Sequence, residues 1–157
     1  MKSRSILVAV FIATFLILFG CNQKSEPLTN QYDEKEMNQA IETAQLTFDK
    51  FLERFRNPQP GDEDFNVKVK IEDKNGVEHF WLSDLRLDSE PYIGIIGNDP
   101  GIVRNVKFGQ QYSFQRADIR DWMFMSNGKM QGNYTLRVIL KSMPEEESEE
   151  IKKNIGW

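Results

Sequence analysis

The sequence predicts an α+β fold: a long N-terminal amphipathic helix packed on a curved, mostly antiparallel sheet of about five strands, with a short C-terminal helix. Two patterns predict this class. After Asp33, apolar residues recur every three or four positions for about six turns, which is the period of an amphipathic helix. Over residues 65–72, apolar and polar residues alternate, as in a strand with one buried face. A length of 157 residues suits one compact domain, which we place at 33–157.

The predicted helix has signals at both ends. Acidic residues follow Asp33 and basic residues precede Pro58, which matches the helix dipole. Pro58 and Pro60-Gly61 are expected to end the helix. Its apolar face comprises Met37, Ile41, Ala44, Phe48, Phe51, Leu52 and Phe55. We expect the phenylalanines Phe48, Phe51 and Phe55 to pack against the sheet instead of holding a ligand.

A β-hairpin is predicted next, over residues 65–82. Asn75-Gly76 is the residue pair best able to take positive φ at both centres of a type I′ turn. A turn centred there sets Ile71 opposite Phe80, and a slip of one residue would move apolar side chains to the polar face. The predicted core-facing residues are Val67, Val69, Ile71, Phe80 and Leu82.

The other face of this hairpin carries the only histidine of the chain. The same register sets Glu72 opposite His79 and Lys70 opposite Trp81. A tryptophan on the second face of a single-layer sheet needs either a cover or a binding role. We therefore expect a partly covered groove, with Trp81 accessible and Arg137 within its reach.

Further strands are predicted beyond the hairpin. Residues 91–97 have the pattern of a short buried strand, and residues 106–116 hold another strand centred on 111–114. Residues 119–125 and 130–136 form a second hairpin about Asn127-Gly128.

One segment of the C-terminal part is predicted equally well as a strand and as a helix. The apolar positions of residues 134–141 fit a strand and a helix equally well, so both remain open. Ser142-Met143-Pro144-Glu145 has the pattern of a capping box, and a short acidic helix is expected from there to about Asn154.

The first 20 residues are typical of an export signal. Lys2 and Arg4 precede an apolar run over 6–19, which has signal-peptide length and falls short of a membrane span. The run ends in Leu18-Phe19-Gly20-Cys21, which resembles a bacterial lipobox. This resemblance implies a lipoprotein signal peptide over 1–20 and a lipid on Cys21; the alternative is an ordinary signal peptide followed by an unrelated cysteine.

The expected location follows from this leader. A lipidated Cys21 would hold an exported protein at the bacterial cell membrane or outer membrane, because two or more acyl chains give stable anchoring. Residues 21–32 are polar, contain Pro27 and show no periodicity, so we expect a flexible tether between lipid and domain.

Composition excludes several classes of function. Loss of Lys2 and Arg4 with the leader would take the net charge from −4 to −6, which argues against a nucleic-acid-binding surface. Cys21 is the only cysteine, so no disulfide is expected within the domain.

No cofactor signature is present, and one histidine cannot build a multi-histidine zinc site. Residues 62–73 resemble a calcium loop at their start but lack its glycine and its final glutamate, so no metal is expected.

Four motifs in order resemble one known family. They are Glu78-His79-x-Trp81-Leu82, Gly97-Asn98-x-Pro100, Ile119-x-Asp121-Trp122-Met123 and Gly128-Lys129-x-x-Gly132-x-Tyr134-Thr135-x-Arg137. The chain is similar over about 65–143 to the YegJ-like bacterial proteins, a family of unknown function that includes predicted lipoproteins. The resemblance implies the fold and the lipoprotein character, and no catalytic residues. Asn133 stands where the family pattern often has glycine, which concerns local turn geometry.

His79 is the sharpest chemical candidate. As a general base it would be oriented by a carboxylate, either Glu72 across the hairpin or Asp121. The alternative is a surface histidine paired with Glu72 beside Trp81, and it is favoured because no nucleophile motif is evident.

A second candidate set is typical of binding surfaces. Trp81, Trp122 and Arg137 are residue types that anchor interfaces. Asp118, Arg120 and Asp121 beside Trp122, with Arg137 downstream, could line a groove for a polar ligand or peptide. The competing interpretation is an ion-pair network that supports the second hairpin.

Two functions follow from these candidates. The preferred one is a non-catalytic envelope lipoprotein that binds a protein or a small polar ligand, with a toxin-neutralising (immunity-like) role as one version. The alternative is a small hydrolase-like enzyme that uses His79 with a carboxylate.

Overall fold

The computed structural model describes residues 32–157, so the predicted signal peptide, Cys21 and the tether up to residue 31 lie outside the described residues. The helices are α1 (Glu34–Arg56), α2 (Tyr134–Lys141) and α3 (Glu145–Asn154). The strands are β1 (Asp62–Asp73), β2 (Gly76–Arg86), β3 (Tyr92–Ile96), β4 (Gln111–Phe114), β5 (Ile119–Ser126) and β6 (Lys129–Gly132).

All six strands pair antiparallel in one sheet, in the order β4-β3-β2-β1-β5-β6. The predicted α+β class is confirmed, with a long first helix, an antiparallel sheet and short C-terminal helices. The sheet has six strands where about five were expected. None of the helices within residues 32–157 is long and apolar enough to cross a membrane.

Helix α1 begins where the sequence predicts. The Asp33 carboxylate accepts a hydrogen bond from the Glu36 N–H (3.0 Å), which caps the first turn. Its central residues Phe48 and Phe51 are fully buried against the sheet, in a core shared with Val67, Phe80 and Leu82. The expectation that Phe48, Phe51 and Phe55 pack against the sheet is therefore confirmed.

The first hairpin has the predicted faces and a different register. Val69 pairs with Phe80 and Asp73 with Gly76, so every pairing is shifted by two residues from the predicted one. All five residues expected in the core are buried, because a shift of two preserves the alternation of faces. The predicted pairing of Ile71 with Phe80 is wrong.

Side-chain hydrogen bonds at the turn account for this register. The Asp73 carboxylate accepts from the Asn75 backbone N–H (2.7 Å) and from the Asn75 side-chain amide (2.9 Å). This Asx-type turn closes the loop one residue earlier than a type I′ turn on Asn75-Gly76 would. Asn75 has no positive φ, whereas the type I′ turn requires one there.

The second hairpin follows the prediction as far as Gly132. Asn127 (φ 51°) and Gly128 (φ 73°) form its turn between β5 and β6. Gly132 (φ 74°) and Asn133 (φ 51°) then redirect the chain, and a side chain at Gly132 would collide with Trp122. Asparagine tolerates this left-handed conformation better than most residues with a side chain do.

The ambiguous segment 134–141 is helix α2. The predicted capping box after it does not form, because the Ser142 hydroxyl donates to the Ile139 carbonyl at the end of α2 (2.7 Å). Pro144 precedes the first residue of α3 instead. The acidic helix itself ends at Asn154, as expected.

One carboxylate fixes the long loop between β3 and β4 to the sheet. Glu78 accepts backbone hydrogen bonds from Gly101 (2.9 Å), Ile102 (2.8 Å) and Val103 (3.2 Å). Burial alone would raise the pKa of Glu78, but the N–H donors outweigh it and hold the pKa below its ordinary value.

Replacing Glu78 with glutamine is expected to destabilise the protein by about 1 kcal/mol at neutral pH. A lowered folded-state pKa contributes stability that is present above the unfolded pKa, near 4.3, and lost as the pH falls through the folded value. Urea unfolding should therefore show a smaller difference at pH 3 than at pH 7. The exposed Glu63→Gln serves as the control, and an equal loss at both pH values would contradict the assignment.

Candidate functional site

A groove lies where α1, α2 and the strands β1, β2 and β5 meet. Its inner section has a volume of about 230 Å³, and an adjoining outer section toward the start of α1 has about 250 Å³. The two sections share Tyr32, Met37, Ile41 and His79. The inner section is completed by Lys68, Arg120, Thr135 and Ile139. We call these two sections together the cationic groove.

Strand alternation directs two of the basic residues into this groove. Val67, Val69 and Phe80 point into the core, so Lys68 and His79 lie on the second face of the sheet. Lys68 is also the neighbour of Trp81 in β2 and of Asp121 in β5.

Arg120 reaches the groove through an irregularity in β5. Lys68 pairs with Asp121 and Val69 pairs with Ile119, which leaves Arg120 without a partner in the ladder. This is a β-bulge, a feature that re-aims a side chain. The Arg120 guanidinium donates to the carbonyls of Ala117 and Ile119, each at 2.9 Å.

Helix α1 contributes to both sides of the sheet. β6 pairs only with the second half of β5, and the Gln45 side chain donates to the Ile119 carbonyl at the remaining edge (2.9 Å). The helix therefore passes this edge, with Phe48 and Phe51 in the core and Met37 and Ile41 in the groove.

Lys68 connects the groove to the buried polar residues beneath it. Its ammonium donates to the Thr135 hydroxyl (2.7 Å) and lies 4.8 Å from the centre of the Trp81 ring. Burial lowers the pKa of Lys68, and the charge of Asp121 opposes that shift. The ammonium covers a face of the half-buried Trp81, so this ring is not the open aromatic platform that the sequence predicts.

Asp121 anchors the start of α2. It is fully buried and accepts hydrogen bonds from the N–H groups of Trp122, Tyr134 and Thr135 and from the Thr135 hydroxyl, at 2.6–3.1 Å. Burial raises the pKa of Asp121, while Thr135 and the charge of Lys68 act in the opposite direction. Its carboxylate is therefore occupied by hydrogen bonds that hold the start of α2.

His79 is exposed at the junction of the two sections. Desolvation is the main cause of its lowered pKa, followed by the positive charges of Lys68, Arg120 and Lys70; Glu78 opposes them. The predicted pairing with Glu72 is wrong, because His79 lies opposite Lys70 and Glu72 forms an ion pair with Lys70 (3.0 Å).

Two other predicted site residues lie elsewhere. Trp122 is 6% exposed, and its indole N–H donates to the Ala44 carbonyl (3.0 Å), so it is part of the core. Arg137 stacks on Trp157 at 3.9 Å and donates to the Gly132 carbonyl instead of approaching Trp81. The expectation that Arg137 completes a groove with Trp81 is therefore wrong.

The structure brings together only part of the predicted set. His79, Trp81 and Asp121 cluster around Lys68, whereas Glu72, Trp122 and Arg137 do not. Sequence reasoning names Arg120 among the groove candidates and misses Lys68 as a site residue. The face on which Lys68 lies is predictable, because Lys68 alternates with the core residues of its strand. No sequence pattern predicts the bulge at Arg120. Within residues 32–157, no group of three or more His, Cys, Asp or Glu side chains is placed to hold a metal ion.

The fold and the groove define a class: an α+β domain with a six-stranded antiparallel sheet, a long first helix and a cationic groove on the second sheet face. The model of a family described as uncharacterized protein conserved in bacteria (DUF2314) matches residues 34–157, and the chain belongs to this family. The resemblance to YegJ-like proteins is thereby confirmed.

Two relatives illustrate the range of the family resemblance. The chain is 39% identical over 142 residues to the uncharacterized protein YegJ of Escherichia coli K12, which covers 90% of this chain and 92% of that protein. It is 34% identical over 126 residues to a putative ankyrin repeat protein of Neisseria meningitidis serogroup B, covering 74% of this chain and 49% of that protein. No solved structure matches the chain.

Proposed function

We propose that this bacterial protein is an envelope lipoprotein, exported and anchored through a lipid on Cys21. In this proposal the domain over 33–157 is a non-catalytic module that binds a protein or a small polar ligand. The lipobox-like Leu18-Phe19-Gly20-Cys21 and the polar segment that follows it support the anchoring. The cationic groove supports the binding role.

The charged groups around His79 favour a binding role over a catalytic one. A histidine base is normally oriented by a carboxylate and faces a nucleophile or a water. The charges of Lys68, Arg120 and Lys70 outweigh that of Glu78 at His79. The two carboxylates considered for it are engaged by other groups: Glu72 by Lys70 and Asp121 by α2. A site of this kind attracts a ligand of complementary charge more readily than it removes a proton.

Replacing Cys21 with serine is expected to abolish labelling by fatty-acid analogues and to leave an uncleaved precursor. The thiol is the only group in the lipobox-like motif that can carry the lipid, and this is the only cysteine of the chain. The check is metabolic labelling followed by mass spectrometry of the membrane fraction. Ser25→Ala in the tether should be labelled normally. Processing of the Cys21→Ser protein to the mature size at Gly20 would refute the anchoring.

The binding role is tested by native mass spectrometry of the mature protein extracted from its own membrane. We expect an additional bound mass in the wild type, lost in Arg120→Glu and retained in Lys107→Glu, an exposed site outside the groove. A wild-type protein that carries no bound mass would contradict the proposal. A bound species that is converted to product only when His79 is present would favour the hydrolase alternative.

A further inference from the structure

We infer that the cationic groove binds an organic anion, with its charged head among the basic side chains and a short apolar part against α1 and α2. This inference rests on the proposed binding function and specifies the chemical class of the ligand.

The charge of the inner section is uncompensated within the groove. Lys68, His79 and Arg120 come from three neighbouring strands, and no carboxylate lines this section. Neither Lys68 nor Arg120 takes part in an ion pair among residues 32–157. An anion placed here would gain charge-assisted hydrogen bonds from donors that the fold already holds in position.

Nearby acidic groups neutralise this site only in part. The buried carboxylate of Asp121 offsets the charge of Lys68 from beneath the groove, and it accepts its hydrogen bonds from α2 and the start of β5. It does not line the groove, where Arg120 has no carboxylate partner among residues 32–157. Glu78 accepts from the loop N–H groups around Ile102. Glu34 lines only the outer section, at the first turn of α1. An anionic head is therefore favoured in the inner section and disfavoured toward Glu34.

The walls of the groove define the rest of the ligand. Met37 and Ile41 from α1 face Ile139 from α2, and all three are half-buried. Each section is smaller than the roughly 300–1,000 Å³ typical of pockets for drug-sized ligands. The dimensions thus suit a short aliphatic carboxylate, or the end of a longer molecule that carries one.

Anion binding in the groove is expected to be linked to proton uptake by the His79 imidazole. A bound anion would favour the charged imidazole and so raise the pKa of His79, which its surroundings hold below the ordinary value. Binding should therefore strengthen as the pH falls through the range in which His79 takes up its proton. The charged groups that face this imidazole are Lys68 and Lys70 of β1, Glu78 of β2, Arg120 of β5 and Glu34 of α1.

Because His79 is the only histidine, its imidazole resonances report on the groove without ambiguity. We would titrate butyrate into the full processed chain in lipid nanodiscs and follow these resonances across pH. The expected result is a saturable shift and a raised His79 pKa with butyrate, no effect with butylammonium or butanamide, and a weaker effect with inorganic phosphate. A lack of saturable change with butyrate, or an equal change with butanamide, would overturn the inference. Phosphate binding as tight as that of butyrate would overturn its apolar part.

Two variants make the test specific to the groove. Arg120→Gln should weaken butyrate binding about tenfold or more, because it removes one charged partner. Lys107→Gln should leave binding unchanged, and equal affinities for the two variants would overturn the inference. Unaltered amide spectra outside the groove would show that Arg120→Gln is folded. If butyrate fails while the native mass spectrum still shows a bound species, the ligand class is wrong and the proposed binding function stands.

Discussion

Replacing Phe51 with alanine is expected to lower the free energy of unfolding by about 3–5 kcal/mol. The side chain is fully buried at the centre of the core, and truncation would leave a cavity that its neighbours cannot fill without moving other rings. Its ring centre lies 5.4–6.3 Å from those of Phe48, Phe55, Phe65, Trp122 and Phe124. Denaturant unfolding followed by circular dichroism would measure the loss.

The matched control for Phe51 lies on the same helix. Leu46 is 74% exposed, so Leu46→Ala removes a large apolar side chain without opening a cavity. We expect that variant to change stability by no more than about 0.5 kcal/mol. Comparable losses for Leu46→Ala and Phe51→Ala would mean that α1 does not pack on the sheet as described.

Replacing Asp121 with alanine is expected to cost about 3 kcal/mol or more and to loosen α2. The change strands the donors of Trp122, Tyr134 and Thr135 in the interior, each at a cost of about 1 kcal/mol or more. It also removes the negative charge that acts on the half-buried Lys68. Hydrogen exchange of the α2 amides, measured beside global unfolding, separates the local effect from the overall loss.

The control for Asp121 is Asp88→Ala, a carboxylate that is exposed near the end of β2. Its removal should leave both the exchange of α2 and the free energy of unfolding nearly unchanged. If the amides of α2 stay as protected in Asp121→Ala as in Asp88→Ala, Asp121 does not anchor the helix.

Local sequence signals predicted the elements whose determinants are local. The cap at Asp33 and the apolar period predict α1, and Asn127-Gly128 predicts the second hairpin. The first hairpin shows the limit of such signals. Alternation fixes which residues are buried, but it is unchanged by a shift of two residues, and the side chain of Asp73 then decides the register. The segment 134–141 was undecidable locally because the hydrogen bonds that start its helix come from Asp121 in another strand.

The candidate site was less predictable than the fold because it depends on long-range geometry. His79 and Trp81 were placed on the correct face by alternation, and nothing in the sequence marks the bulge that directs Arg120 beside them. The passage of α1 past the edge of β5, which supplies Met37 and Ile41 to the groove, follows from the tertiary packing. Residue type alone marks Trp122 and Arg137 as binding residues, and residue type does not distinguish a core indole from an exposed one.

The position of Tyr32 limits how far the groove can be from the membrane. This residue lines both sections of the groove and immediately precedes the cap of α1. A chain from Cys21 to Tyr32 spans at most about 40 Å even when fully extended, at 3.3–3.6 Å per residue. With the proposed anchor, the Tyr32 end of the groove therefore stays within about 40 Å of the lipid surface. Ligands held in the same membrane would then meet it at a high effective concentration, so even a weak intrinsic affinity would suffice for occupancy.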